Sequence, residues 1–229
     1  MDTPYDIIRL PEIGSTQDRA LEEARTRGHP VLVVADRQIA GRGRQGRVWI
    51  EPDHGMYSSF AFSNPWPPES AALLALCTAV AVRRAIGDLL GVDVRCKWPN
   101  DLVMDGRKVG GILPDATEGW VTIGCGVNLA WGNPPEFAAA LLDERPDPAL
   151  APGLAVAWVD HLRGIIAEGP GAWPRSDYRN ACVTLGRTVR WDGGEGTATD
   201  VGADGHLVVE TPEGTSRVVA GDVHLLGHN

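Results

Sequence analysis

Between Ala40 and Trp49 the chain reads AGRGRQGRVW, with Arg42, Arg44 and Arg47 interleaved among Gly41, Gly43 and Gly46. Guanidinium groups grip phosphate or carboxylate through bidentate, charge-assisted hydrogen bonds, and glycines let the backbone approach such an anion closely. The spacing also fits G-x-G-x-x-G, the turn that sets a dinucleotide pyrophosphate on a helix N-terminus. That reading needs a helix at the third glycine and an acidic residue about 20 positions on. After Gly46 the chain instead runs RVWIEPDHG, whose β-branched and aromatic residues and Pro52 predict a short strand and turn. The loop therefore reads as an arginine clamp for an anion. Farther on, KWPND (Lys97 to Asp101) closes a strand, and Lys108 comes soon after it in RKVGGIL. Taken alone, Lys108 beside a hairpin turn is a solvated lysine and Asp101 a turn residue next to Asn100. No G-x-S-x-G elbow is present and the six histidines lack zinc spacing, so hydrolase and zinc chemistry are not expected.

These groups need a scaffold, and the hydrophobic pattern supplies one. DIIRLPEI reads as an opening strand. GSTQDRALEEARTRGHP reads as a helix, with a capping box from Ser15 and Asp18 and a stop at Gly28 and Pro30. VLVVADRQ is a buried strand leading into the arginine loop, and MYSSFAF is another. Glu69 to Leu90 keeps apolar residues at helical spacing and predicts a largely buried helix. VRCKWPNDLVM, an Asp105-Gly106 turn and RKVGGILPDAT predict a hairpin, and WVTIGCGVNLA adds a strand. PPEFAAALLDE and GLAVAWVDHLRGIIAEG have helical patterns. From about Leu185 the texture changes to short β runs cut by glycines: RTVRW, GTATDVG, HLVVET and SRVVAGDVHLL. The expected class is α+β, with a domain over residues 1–183 and a small all-β domain over 184–229.

Composition narrows the function. With 229 residues, 43% hydrophobic and 22% charged, the chain is ordinary for a water-soluble globular protein. A net charge of −9 opposes non-specific nucleic-acid binding, so any polyanion site must be local. The four cysteines lie far apart, without C-x-x-C, and are expected to be reduced and structural. Neither a signal peptide nor a transmembrane run is legible, which makes the cytoplasm the expected location and a membrane partner unexpected.

In order and spacing, the arginine loop, KWPND, RKVGGILPD and GCGVNL resemble the catalytic domain of biotin protein ligases, and the β-rich tail resembles their small SH3-like C-terminal barrel. The resemblance covers nearly the whole chain. It implies a mixed-sheet catalytic domain similar to class II aminoacyl-tRNA synthetases. It also implies a two-step reaction in which biotin and ATP, with Mg²⁺, give biotinyl-5′-AMP, and the biotinyl group passes to a lysine of a biotin carboxyl carrier domain. By resemblance, Lys108, Asp101 and Arg44 are catalytic. Ser15, Thr16, Gln17, Gln38, Arg42, Gly43, Arg44 and Lys108 bind biotin, with Gln17 a departure from the asparagine of many relatives. Arg44, Arg47, Trp49, Asn100, Asp101 and Asn128 face ATP. Asp101 has two open roles, as a ligand of nucleotide-borne Mg²⁺ or as acceptor of the carrier lysine's proton. Trp49 stands equally well as a core tryptophan on a strand, and Ser15 and Thr16 as simple caps. Only 14 residues precede Ser15, too few for a helix-turn-helix domain, so DNA is not an expected partner. A monomer or weak homodimer is expected. The nearest alternative is a lipoate or octanoate ligase or transferase of the same fold. Its cysteine-lysine transferase form is disfavoured because no cysteine lies close to Lys108 in sequence.

Overall fold

The computed structural model describes residues 4–219 and 223–226. In chain order the elements are β1 (Asp6–Leu10), α1 (Thr16–Arg27), β2 (Val31–Ala35), β3 (His54–Ser63), α2 (Ala71–Leu90), β4 (Arg95–Lys97), β5 (Asp101–Met104), β6 (Arg107–Thr117), β7 (Trp120–Ala130), α3 (Leu150–Ala167) and α4 (Arg175–Ala181). Five further strands complete the chain: β8 (Thr188–Trp191), β9 (Gly194–Val201), β10 (Leu207–Thr211), β11 (Gly214–Val218) and β12 (His224–Leu225). The class is α+β with a mixed sheet. Seven strands lie side by side in the order β1-β2-β3-β7-β6-β5-β4, parallel between β1 and β2 and antiparallel elsewhere.

Both faces of that sheet are covered, and β2 shows why its sequence lacks polar alternation. All five residues of VLVVA are buried. Val31 and Val33 pack with Ala20 and Ala24 of α1, while Leu32 and Val34 join the main core with α2 and α3. A strand buried on both sides has no solvent face to mark with polar residues. On α1 the small side chains at Ala20 and Ala24, one turn apart, let the helix lie close to the sheet. Gly28 and Gly91 end α1 and α2 in the left-handed region at φ 71° and 67°, where glycine carries no Cβ penalty. The Asp105-Gly106 turn has φ 50° and 75°, the double positive signature of a tight hairpin.

Strands β8 to β12 form an antiparallel sheet in the order β11-β10-β9-β8-β12, and no closed barrel is found among the described residues. Val189, Ala198, Val201, Leu207 and Val209 belong to the same apolar cluster as α2 and α3. This small unit thus shares the large core instead of building its own, as its size requires.

Three expectations need correction, and one helix is not foreseen. PPEFAAALLDE is not helical: Ala139 donates to Lys108 O at 2.8 Å, Leu141 to Asn128 O at 3.0 Å and Leu142 to Leu129 O at 2.9 Å. The segment starts with two prolines and uses its backbone to cover the ends of β6 and β7, so tertiary pairing overrides the propensity of its alanines and leucines. The capping box is absent: Ser15 makes no side-chain cap bond, and both Ser15 and Asp18 instead face Arg42. SRVVAGDVHLL is not one strand but the ends of β11 and β12, at opposite edges of the sheet, with 220–222 outside the described residues. Helix α4 carries no clear sequence signal, because RSDYRNA is short and mostly polar and offers no apolar period.

All four cysteines are free and buried, and burial pushes the Cys77 and Cys96 thiols up to about 12. Thiolate is the reactive form. Native protein at about pH 8 is expected to give no fast-reacting thiol with an aromatic disulfide reagent, and four after denaturation; rapid native labelling would contradict this packing.

Candidate active site

Three pieces of chain converge on a cavity of about 390 Å³ over one face of the seven-stranded sheet: the start of α1, the arginine loop, and the strands that carry KWPND, Lys108 and GCGVN. Every site residue singled out from sequence lines it. Among the described lining residues, Arg42, Arg44, Arg47, Lys97 and Lys108 face a single carboxylate, Asp101, within a protein of net charge −9. A cleft lined by one sign of charge focuses the field on an incoming anion.

One end of the cavity is a polar slot. Gln38 Oε1 accepts from Thr16 N at 2.8 Å and Thr16 Oγ1 at 2.9 Å, and Thr16 Oγ1 lies 2.8 Å from Ser59 Oγ. Gln17 Nε2 donates to Leu113 O at 3.1 Å. Gln38 is fixed from behind, its N–H donated to Glu51 Oε1 at 2.6 Å. Ser15, Thr16 and Gln17 are all buried, which is unusual for three consecutive polar residues unless they meet polar partners. A Cβ on Gly124 would lie 3.3 Å from Gln17 Oε1, so glycine on β7 leaves room for this slot.

The arginine loop folds over the middle. It contains a bridge from Arg42 to Val48 and a short 3-10 turn at Arg44–Gly46, in place of the helix a dinucleotide turn requires. Arg42 pairs with Asp18 and reaches Ser15 Oγ at 3.5 Å, which puts it on the slot side. Arg44 Nη1 donates to Asn100 Oδ1 at 2.9 Å, toward KWPND. Arg47 Nη2 donates to Gln45 Oε1 at 3.2 Å. Trp49 is not a strand-core tryptophan. Its ring lies against the glycine backbones of β6 and β7, where added Cβ atoms would come within 3.0 Å at Gly111 and 2.9 Å at Gly126. Its buried indole N–H has no acceptor among the described residues.

Lys108 Nζ stands 2.6 Å from Asp101 Oδ1 and 5.5 Å from the centre of the Trp49 ring. Its direction depends on a break in register. Asp101 pairs with Gly111 and Leu102 with Gly110, but Val103 pairs with Lys108, leaving one extra residue on β6. This bulge lets Lys108 share the cavity face with Gly111 while fully buried Val109 joins the core with Ile112. Asn100 is spent at both ends, accepting from Arg44 and donating to Ile112 O at 2.9 Å. Asn128 donates to Ala139 O at 2.8 Å and keeps a buried Oδ1 without a partner among the described residues.

Sequence reasoning missed Ser58, Ser59, Leu113, Trp131, Phe137 and His224, all of which line the cavity. The adjacent serines in MYSSFAF carried a signal, being two hydroxyls in an otherwise apolar buried strand. Leu113 accepts from Gln17 through its carbonyl, and Phe137 and His224 arrive from distant chain, which no local pattern reveals. Phe137 and Val48, 62% and 79% exposed, form an apolar rim at the mouth.

The fold and cavity define an α+β protein with a built site for a small anionic ligand, half polar slot and half cationic lip. Residues 11–128 match the biotin/lipoate A/B protein ligase family, and the chain belongs to that family. Among curated proteins it is 30% identical to the bifunctional ligase/repressor BirA of Bacillus subtilis, over 93% of this chain and 72% of that one. It is 31% identical to the biotin–[acetyl-CoA-carboxylase] ligase of Mycobacterium tuberculosis, over 84% of this chain and 78% of that one. Among solved structures, the biotin protein ligase of Aquifex aeolicus in complex with biotin and ATP superposes with a TM-score of 0.81 at 25% identity, covering 96% of this chain and 98% of that one.

Proposed function

We infer that this protein is a biotin protein ligase, joining biotin to a lysine of a carboxylase carrier domain through biotinyl-5′-AMP. The observation that carries this reading is the arrangement, among the described lining residues, of five cations and one carboxylate around a cavity that ends in the Thr16–Gln38–Ser59 slot. A ureido ring needs both donors and acceptors, and this slot offers hydroxyls, amides and the Leu113 carbonyl region. Ser15, Thr16, Gln17 and Gln38 would hold the ring, with Arg42 and Gly43 closing beside it.

In the first step a biotin carboxylate oxygen attacks the α-phosphorus of ATP and pyrophosphate leaves. Two anions must meet, and preorganised cations aimed at the developing charge are the main catalytic resource for that. Arg44 and Lys108 stand where carboxylate and α-phosphate would join, Arg47 covers the departing phosphates, and Trp49 with Asn100 and Asn128 forms the nucleotide side. Asp101 is the sole carboxylate among the described cavity residues, and Mg²⁺ is commonly held by one or two carboxylates plus substrate phosphates. Asp101 fits that pattern, and the ion would screen phosphate charge. In the second step the deprotonated carrier lysine amine attacks the acyl carbon, AMP leaves and an amide forms. Asp101 would take the proton that this amine loses.

The names of the relatives support a carboxylase carrier domain as partner, and it would approach over the apolar rim at Val48 and Phe137. No helix among the described residues is long and apolar enough to cross a membrane. Residues 1–183 would form the catalytic domain and 184–229 an SH3-like domain, a cytoplasmic monomer or weak dimer without DNA as partner. Pyrophosphate exchange into ATP is expected with biotin and not with lipoate or octanoate. Exchange with lipoate alone would turn the reading to the other branch of the family.

A further inference from the structure

Two indole N–H groups from the first 183 residues grip carbonyls two positions apart in one turn of the C-terminal sheet. Trp98 Nε1 donates to Gly205 O at 3.0 Å, and Trp173 Nε1 to Ala203 O at 2.7 Å. The turn joins β9 to β10 and is further anchored by Arg175, whose Nε donates to Val201 O at 2.6 Å and whose guanidinium pairs with Asp200 at 2.8 Å. Gly205, at φ +87°, sits so close to α2 that a Cβ would meet Leu76 at 3.0 Å and Leu73 at 3.1 Å. The turn is thus seated in a fixed place.

Trp98 is the point where this seat meets the cavity. It is 2% exposed, lines the cavity wall, and donates its backbone N–H to the buried Thr184 Oγ1 at 3.0 Å. Two residues on, Asn100 holds Arg44 and its carbonyl also receives the Ile112 N–H at 2.9 Å; three residues on, Asp101 holds Lys108 at 2.6 Å. A close-packed chain of contacts therefore runs from the β9–β10 turn through Trp98 to the groups that face ATP. Packed interiors transmit small displacements, and a misplacement of about 1 Å can cost about 10²-fold in rate.

We propose that Trp98 is a positioning residue through which the C-terminal sheet sets the nucleotide side of the cavity. The proposal rests on the ligase reading for its kinetic consequence and on geometry alone for its structural one. Trp98→Phe keeps an aromatic ring and removes the donor to Gly205. Trp173→Phe does the same at Ala203, outside the cavity. Both are expected to raise the KM for ATP in biotin-dependent exchange by about tenfold while biotin affinity measured without ATP stays within about twofold. Thr211→Ala, at the far end of β10 where Thr211 Oγ1 donates to Gly214 O, should change neither.

Amide hydrogen exchange over residues 99–112 is expected to speed up in both tryptophan variants, although Trp173 lies far from that segment in sequence. If ATP KM is unchanged in both, the two indoles only hold the units together and the proposal is overturned, whatever happens to Tm. If the wild-type protein shows no biotin-dependent exchange, the ligase reading fails instead. The amide exchange over 99–112 then decides the positioning role by itself, and unchanged exchange in Trp173→Phe overturns it.

Discussion

Lys108→Ala is expected to slow biotin-dependent pyrophosphate exchange by about 10²- to 10³-fold at saturating ATP, the usual loss when one preorganised donor to a developing charge is removed. The Lys108 side chain is about two-thirds buried, and its ammonium lies between Asp101 and the Trp49 ring. Its removal has two effects on charge. The cavity loses one of the five cations among its described lining residues, and the Asp101 carboxylate, 25% exposed, loses its partner and becomes a repulsive neighbour for phosphate. Biotin affinity without ATP should fall much less, because the Thr16, Gln38 and Ser59 contacts stand apart from Lys108. Lys108→Arg should recover only part of the rate, since a planar fork does not replace a compact point charge. Exchange within about threefold of wild type in Lys108→Ala would remove this residue from the chemistry.

Trp158→Ala is expected to destabilise the protein by about 3–5 kcal/mol, the range for emptying a buried aromatic site. Trp158 on α3 is fully buried, and its indole N–H donates to Ser58 Oγ at 3.1 Å, which in turn donates to Cys125 O at 3.4 Å. Helix, β3 and β7 are thereby joined beneath the cavity floor, since Ser58 and Cys125 also line it. For a chain of this length each kcal/mol moves Tm by about 2–4 °C, so a fall of roughly 6–20 °C should be seen by calorimetry. Trp158→Phe, which keeps most of the volume but leaves Ser58 Oγ without its donor, should cost about 1–3 kcal/mol. A loss below about 1 kcal/mol for the alanine variant would mean that the core closes over the gap without strain.

Much of this architecture is legible in the sequence because local signals and tertiary demands agree. The unbroken apolar run of β2 reflects its burial on two faces, and Asp105-Gly106 fixes the β5–β6 hairpin by backbone conformation alone. The arginine loop is legible through its downstream neighbours, since the β-branched and aromatic residues after Gly46 start no helix. Legibility fails where long-range contacts decide. The alanines and leucines of 134–144 favour a helix in isolation, yet their amides and carbonyls are claimed by β6 and β7. Ser15 and Asp18 have the spacing of a cap, but a guanidinium 24 residues or more away in sequence outcompetes the backbone for both. Carbonyl contributions such as Leu113 O carry no side-chain mark at all, and the meeting of Trp98 with Gly205 spans 107 residues.

The extra residue on β6 makes the position of the key ammonium a matter of counting. Along an unbroken strand, odd separations put side chains on opposite faces. Lys108 and Gly111 are three apart and yet face the same cavity, while Val109 and Ile112, also three apart, both face the core. Drawn out as an unbroken strand with Gly111 held in place, the same residues would point Lys108 toward hydrocarbon and Val109 toward the cavity, whereas deleting one residue between Lys108 and Gly111 would remove the bulge and leave the ammonium on the cavity face. The chemistry at this site thus depends on the parity of a short stretch of strand as much as on the identity of any side chain in it.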